Sequence, residues 1–235
     1  AEPMLRHARV VIENELGEND RLALIALHNL ATAVGNQGRI REAAELLDDL
    51  LKKNIDAFGE RHPDTLSTMN NLATNYTELN EYELAEPLLR RTVELREEVF
   101  GPDHQGTLLA RTNLIHILIM QERREEALPL VRATLEQQEA ALGPNHQNTL
   151  TSLNQLAYLL EDLGRLDEAE TMHRDALDRW RSVGGNLMPG AMIALNNLAM
   201  VVHKRDPAEA EALFADLVEA AEEGLPPGHF YTGFF

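Results

Sequence analysis

Residues 65–79 read Thr-Leu-Ser-Thr-Met-Asn-Asn-Leu-Ala-Thr-Asn-Tyr-Thr-Glu-Leu, with Leu66, Met69, Leu72, Ala73, Tyr76 and Leu79 on one arc at helical spacing. From about Glu81 to Val99 the pattern returns with Leu84, Ala85, Leu88, Leu89 and Val93. The unit is therefore a pair of amphipathic helices. Working outward, Asn71-Leu72 recurs as Asn29-Leu30, Asn113-Leu114, Gln155-Leu156 and Asn197-Leu198, each step being 42 residues. Leu24, Leu66, Leu108, Leu150 and Met192 keep the same step, as do Ala43, Ala85, Ala127 and Ala169. A fixed period of this length marks an architecture of stacked repeats.

The punctuation repeats as well. Gly38, Asn80 and Gly164 occupy the tight turn between the two helices, where a left-handed residue is favoured. Gly59, Gly101, Gly143 and Gly185 close the second helices, and Pro102 forbids continuation past Gly101. The alanine column lets the paired helices approach closely, and a larger residue there would overpack the seam. Pro87 and Pro129 fall inside second helices, as does Pro3 by alignment, and predict a tolerated bend. Asp206-Pro-Ala-Glu209 reads as a capping box with proline at the first helical position.

The motifs Thr68-Met-Asn-Asn-Leu-Ala73, Glu83-Leu-Ala-Glu-Pro-Leu-Leu-Arg90 and Phe100-Gly-Pro-Asp-His104 resemble tetratricopeptide repeats, in the 42-residue form of kinesin light chains. The resemblance covers the whole chain. It implies an all-α, right-handed superhelical solenoid of antiparallel helix pairs forming a single array over 1–235. Residues 1–17 align with the second helix of a preceding repeat. Five repeats follow at 18–61, 62–103, 104–145, 146–187 and 188–228, and 229–235 opens another. Neither end carries a polar cap, so a segment of a longer array is expected. Similar bacterial arrays are joined to kinase, nucleotide-binding or caspase-like domains, which implies a recruitment or sensor role.

Composition narrows the function. With 21 Lys+Arg against 39 Asp+Glu the net charge is −18, which repels phosphate backbones and anionic headgroups and argues against nucleic-acid or membrane binding. The chain has no cysteine, so disulfides, thiolate metal sites and thiol nucleophiles are absent. No apolar run approaches the ~20 residues of a membrane span, and Ala1-Glu-Pro-Met-Leu-Arg-His7 is not a signal peptide. A cytoplasmic location is expected. Arginine outnumbers lysine 18 to 3, a bias read here as compositional rather than chemical.

His62, His104, His146 and His229 recur in the linkers, but successive copies stand a whole repeat apart. That separation is on the order of two ~10 Å helix diameters, against ~2.0–2.1 Å for a zinc–nitrogen bond. Each is therefore expected to pack or cap the start of a first helix. No nucleophile–base–acid set and no phosphate-cradling loop is evident, so no enzyme activity, metal or cofactor is expected.

The helices differ in charge. Residues 81–98 carry nine charged side chains and residues 63–79 carry two. Opposite the core arc of the first helices runs a sparsely charged stripe: Ile25, Asn29, Thr32 and Asn36; then Ser67, Asn71, Thr74 and Glu78; then Leu109, Asn113, His116 and Met120. It continues as Thr151, Gln155, Tyr158 and Asp162, then Ile193, Asn197, Met200 and Lys204. The resemblance places this stripe on the concave surface, as a groove for a protein or peptide. Candidate ladder residues are Asn29, Asn71, Asn113, Gln155 and Asn197, joined by Tyr158, with Leu109, His116 and Met120 as a side-chain pocket. Alternatively these amides only bridge neighbouring helices in an array without a dedicated ligand. First-helix cations are limited to Arg21, Arg111 and Lys204, so a neutral or basic ligand is favoured over an acidic one. Arg111 occupies a core column shared with Leu27, Met69, Leu153 and Leu195, where it must snorkel or find an acid. The aromatic tail Phe230, Tyr231, Phe234 and Phe235 predicts folding back or weak self-association.

Overall fold

The computed structural model describes residues 2–184 and 189–224. Within them every regular element is a helix: α1 (Glu2–Leu16), α2 (Arg21–Gly35), α3 (Ile40–Phe58), α4 (Pro63–Glu78), α5 (Tyr82–Phe100), α6 (Gln105–Met120), α7 (Arg124–Leu142), α8 (Gln147–Asp162), α9 (Leu166–Gly184), α10 (Pro189–His203) and α11 (Pro207–Gly224). The chain divides into two compact units, Ala1–Gln121 and Glu122–Phe235. In the first, α1 through α6 pack each on the next, and α4 also meets α6. In the second, α7 through α11 do the same, and α8 meets α10. Each unit is a stack of helix pairs with alternating first and second helices. Gly185, His229 and the tail at Phe230–Phe235 lie outside the described residues.

The arcs read from the sequence are the packed ones except at Leu84, which lies in the first turn of α5 and is 51% exposed. Leu24, Leu27 and Ala31 of α2 meet Ala44, Leu47 and Leu50 of α3 and Leu72 of α4. Leu66 and Met69 of α4 close on Leu95 of α5. Each such leucine or methionine contributes about 1.5–3 kcal/mol by leaving water. Ala43, Ala85, Ala127 and Ala169 are all buried at the helix–helix seams. Arg111 shares the burial of its column at 4% exposure, and it pairs with Glu97 of α5.

The turns confirm the left-handed column and extend it. Gly38, Asn80 and Gly164 have φ of 78°, 58° and 72°, and Glu122, one period after Asn80, has φ 59°. A glutamate there has a Cβ that crowds its own backbone, a strain of roughly 1–2 kcal/mol. Helices α5 and α7 continue through Pro87 and Pro129. At α11, Asp206 accepts from the Ala208 and Glu209 amides at 3.1 Å, but the Glu209 carboxylate turns away to Arg174 instead of closing the box.

Candidate functional site

The linker histidines are caps. The Nδ1 atoms of His62, His104 and His146 accept from the backbone amides of Asp64, Gly106 and Asn148 at 3.2, 3.1 and 3.2 Å. Each therefore satisfies one of the amides left open at a helix start. Two of the rings also stack, His62 on Phe58 at 4.6 Å and His104 on Phe100 at 4.7 Å. A second clasp went unread in the sequence: Thr65, Thr107 and Thr149 donate their hydroxyls to the carbonyls of Gly59, Gly101 and Gly143, all at 2.9 Å. The 42-residue spacing of these threonines was the available signal.

In the first unit, the stripe residues Ile25, Asn29, Ser67, Leu109, His116 and Met120 are exposed, Leu109 and Met120 at 54% and 50%. Asn71 and Asn113 are half-buried. Asn113 of α6 donates to Asn70 of α4 at 3.1 Å, so the bridge uses the residue beside Asn71 rather than Asn71 itself. The amides of Asn29 and Asn71 form no hydrogen bond with another described side chain. A cleft of about 220 Å³ lies between α2, α3 and α4, bordered by Arg21, Ile25, His28, Asp64 and Ser67.

In the second unit, Tyr158 stands half-exposed on α8 and donates to Asn197 Oδ1 on α10 at 2.8 Å. Asn197 is only 4% exposed, and its Nδ2 has no partner among the described residues. Gln155 is half-buried. Ile193 and Met200 complete an exposed apolar strip on α10. The ladder is thus unequal: two of its five amides bridge first helices, and the others keep their hydrogen-bonding capacity open.

Models of the tetratricopeptide repeat match residues 24–64, 65–106, 106–182 and 151–223. The chain belongs to the tetratricopeptide repeat family. Among solved structures it is similar to a putative kinesin light chain from Podosopora anserina with nearly identical TPR-like repeats. That match has 21% identity and a TM-score of 0.75, covering 85% of this chain and 95% of that one. BtubC (BKLC) from P. vanneervenii matches with 19% identity and a TM-score of 0.74, over 95% and 90% of the two chains. YrrB, described as a TPR protein with an unusual peptide-binding site, matches with 16% identity and a TM-score of 0.61, over 95% and 94%. A comparison with curated protein sequences found no match. The resemblance to kinesin light chain-like repeats therefore holds at the level of fold, and tetratricopeptide repeats serve generally as scaffolds for protein–protein interaction.

This tetratricopeptide array uses its arginines as staples between repeats. Arg41 holds Glu81 through two bonds of 2.8 and 2.7 Å, and Arg91 holds Glu60 at 3.0 and 2.5 Å. Arg61–Glu98, Arg132–Glu168 and Arg205–Asp167 likewise join successive repeats, across 37, 36 and 38 residues. The guanidiniums hold Glu81 and Glu60 below the usual carboxylate range. The planar fork of arginine suits such bidentate pairing better than an ammonium does, so the 18-to-3 bias has a chemical use after all. Two of the three first-helix cations are consumed too: Arg111 by Glu97 and Lys204 by Glu161. Among the described residues no helix is long and apolar enough to cross a membrane, and no cluster of three His, Asp or Glu could hold a metal.

Proposed function

We propose that the first-helix face binds an extended peptide segment of a protein partner. The observation that carries this is the open amides of Asn29 and Asn71 beside exposed Ile25, Leu109 and Met120 on a face almost free of unpaired cations. Amides offer donors and acceptors to a peptide backbone, while Leu109, His116 and Met120 form a pocket for a side chain. Gln155 offers the same chemistry in the second unit, beside the exposed ring of Tyr158. Loss of Arg111 and Lys204 to ion pairs favours a ligand that is neutral or basic along its length. The module acts as the recruitment or sensor part of a larger cytoplasmic signalling protein and performs no chemistry of its own.

The Asn113–Asn70 and Tyr158–Asn197 bonds favour a second reading, in which the amides serve only the stack. A peptide selected from a displayed library separates the two. Asn71→Ala is expected to weaken its binding by about 0.5–1.5 kcal/mol, the worth of one hydrogen bond, with the melting temperature unchanged. Asn113→Ala should lower both affinity and melting temperature. If both variants lose stability and bind as well as the parent, the ladder is structural.

A further inference from the structure

Near its end, each second helix carries a buried residue at one fixed column: Asn54 on α3, Arg96 on α5, Gln138 on α7 and Trp180 on α9. Two columns at the start of the following first helix run opposite it. The first reads Asp64, Gly106, Asn148 and Gly190, and the second, one turn on, reads Thr68, Ala110, Ser152 and Ala194. The three columns change together. Asn54 and Gln138, which end in compact amides, stand opposite Asp or Asn followed by Thr or Ser. Arg96 and Trp180, which are long and end in planar groups, stand opposite Gly followed by Ala.

Contacts within each unit give the reason. Asn54 donates to Thr68 at 3.0 Å, and Asp64 borders the same cleft as both. At Gly190 a Cβ would lie 2.2, 2.4 and 2.6 Å from three atoms of the rigid Trp180 ring. At Gly106 a Cβ would lie 2.1 Å from Arg96 Nη1, the movable end of a flexible side chain. Glycine is a poor choice inside a helix, and the cap does not require it, since the Asn148 amide serves His146 as the Gly106 amide serves His104. The two glycines are there because the second helix fills the space where their side chains would stand. Arg96 fills it although it forms no ion pair among the described residues; its Nη2 donates to Ser67 of α4 at 3.3 Å.

We propose that these columns form a two-type size code that decides which second helix accepts which first helix. The problem it solves is built into the repeat. The helix pairs share their alanine seams and leucine arcs at a 42-residue step, so those features alone do not tell one repeat from the next. A slip of one repeat would press Arg96 or Trp180 against Asp, Asn, Thr or Ser, and would leave a cavity where Asn54 or Gln138 met Gly and Ala. Overfilled and underfilled contacts both cost stability in a close-packed seam. Specificity of this kind comes from penalising the wrong partner as well as fitting the right one. Because the types alternate along the chain, a slip of two repeats would match again, so the code acts against the nearest error. It is independent of any ligand on the first-helix face.

The test is a set of thermal-unfolding cycles in the full chain. Gly190→Asn places the other type beside Trp180 and should lower the melting temperature by about 3–10 °C, although it removes a glycine from a helix. In the Trp180→Gln background the same change should cost nothing. The chain has one tryptophan, so a shifted emission maximum in Gly190→Asn reports the displaced ring directly. Gly106→Asn should cost less than Gly190→Asn, because the end of Arg96 can swing aside, and nothing in the Arg96→Gln background. Trp180→Gln itself removes a large buried side chain, so the reciprocal transplant is made where the native pair is small. Gln138→Trp should destabilise, and adding Asn148→Gly and Ser152→Ala should return at least half of the loss. Equal losses from Gly190→Asn with and without Trp180, or a triple variant no more stable than Gln138→Trp, overturn the proposal.

Discussion

Arg111 in the first unit and His173 in the second both replace an aliphatic residue in a buried repeat column, and the chain deals with them in opposite ways. Arg111 stands where Leu27, Met69, Leu153 and Leu195 stand, and α5 supplies Glu97 to pair with it. His173 stands where Leu47, Leu89 and Val131 stand. It is fully buried, its ring meets Tyr158 edge-on at 5.8 Å, and neither nitrogen has a partner among the described residues. Burial pushes its pKa down to about 4, against a slight upward pull from Glu161. One basic residue keeps its charge because a carboxylate is at hand, and the other gives its charge up because it can. Arg96, which can neither discharge nor pair within the chain, is the case left over. A polar residue in a core column is thus informative only once its partner is known.

The sharpest break in this comparison is pH. Folded His173 titrates near 4 and an unperturbed histidine near 6.5, so between those values the unfolded chain binds more protons. Its contribution is complete above 6.5 and is lost as pH falls toward 4, by at most about 3 kcal/mol. Urea unfolding at pH 7 and pH 4.5 should show that loss, and His173→Leu should lack most of it. An identical acid loss in both proteins would mean that carboxylates such as Glu60 and Glu81, also held low in the fold, account for it. Next in size is Glu97→Gln, which removes the carboxylate paired with Arg111. With the Glu97 side chain 41% exposed, the cost should fall below that of a fully buried pair, at about 1–2 kcal/mol. Adding Arg111→Leu should recover it, and a double variant no more stable than Glu97→Gln would show that the pair is not the reason Arg111 is tolerated. The smallest effect belongs to Glu122, whose departure from its column strains the backbone. Glu122→Gly should raise stability by about 0.5–1 kcal/mol in thermal unfolding, and Asn80→Gly by less.

Much of this was legible beforehand. The period, the helix pairs, the alanine seams and the left-handed turns at Gly38, Asn80 and Gly164 follow from local rules, since spacing dictates which side chains share a face. The linker histidines were readable as caps because their separation excluded a shared metal. The site was less legible. The stripe came from spacing alone, but spacing could not tell that Asn113 bonds to Asn70 or that Tyr158 reaches Asn197, because those pairs lie 43 and 39 residues apart.

What the sequence by itself determined is the repeat and the face each residue takes, because helical periodicity is a property of neighbours along the chain. Only the tertiary structure decided which charges are spent. Arg111, expected to snorkel or find an acid, pairs with Glu97, and Lys204 pairs with Glu161, whereas Arg96, on a helix crowded with acids, forms no ion pair among the described residues. Coulomb attraction and desolvation act through a few ångströms of space, and two residues one repeat apart in sequence meet or miss according to how their helices stack.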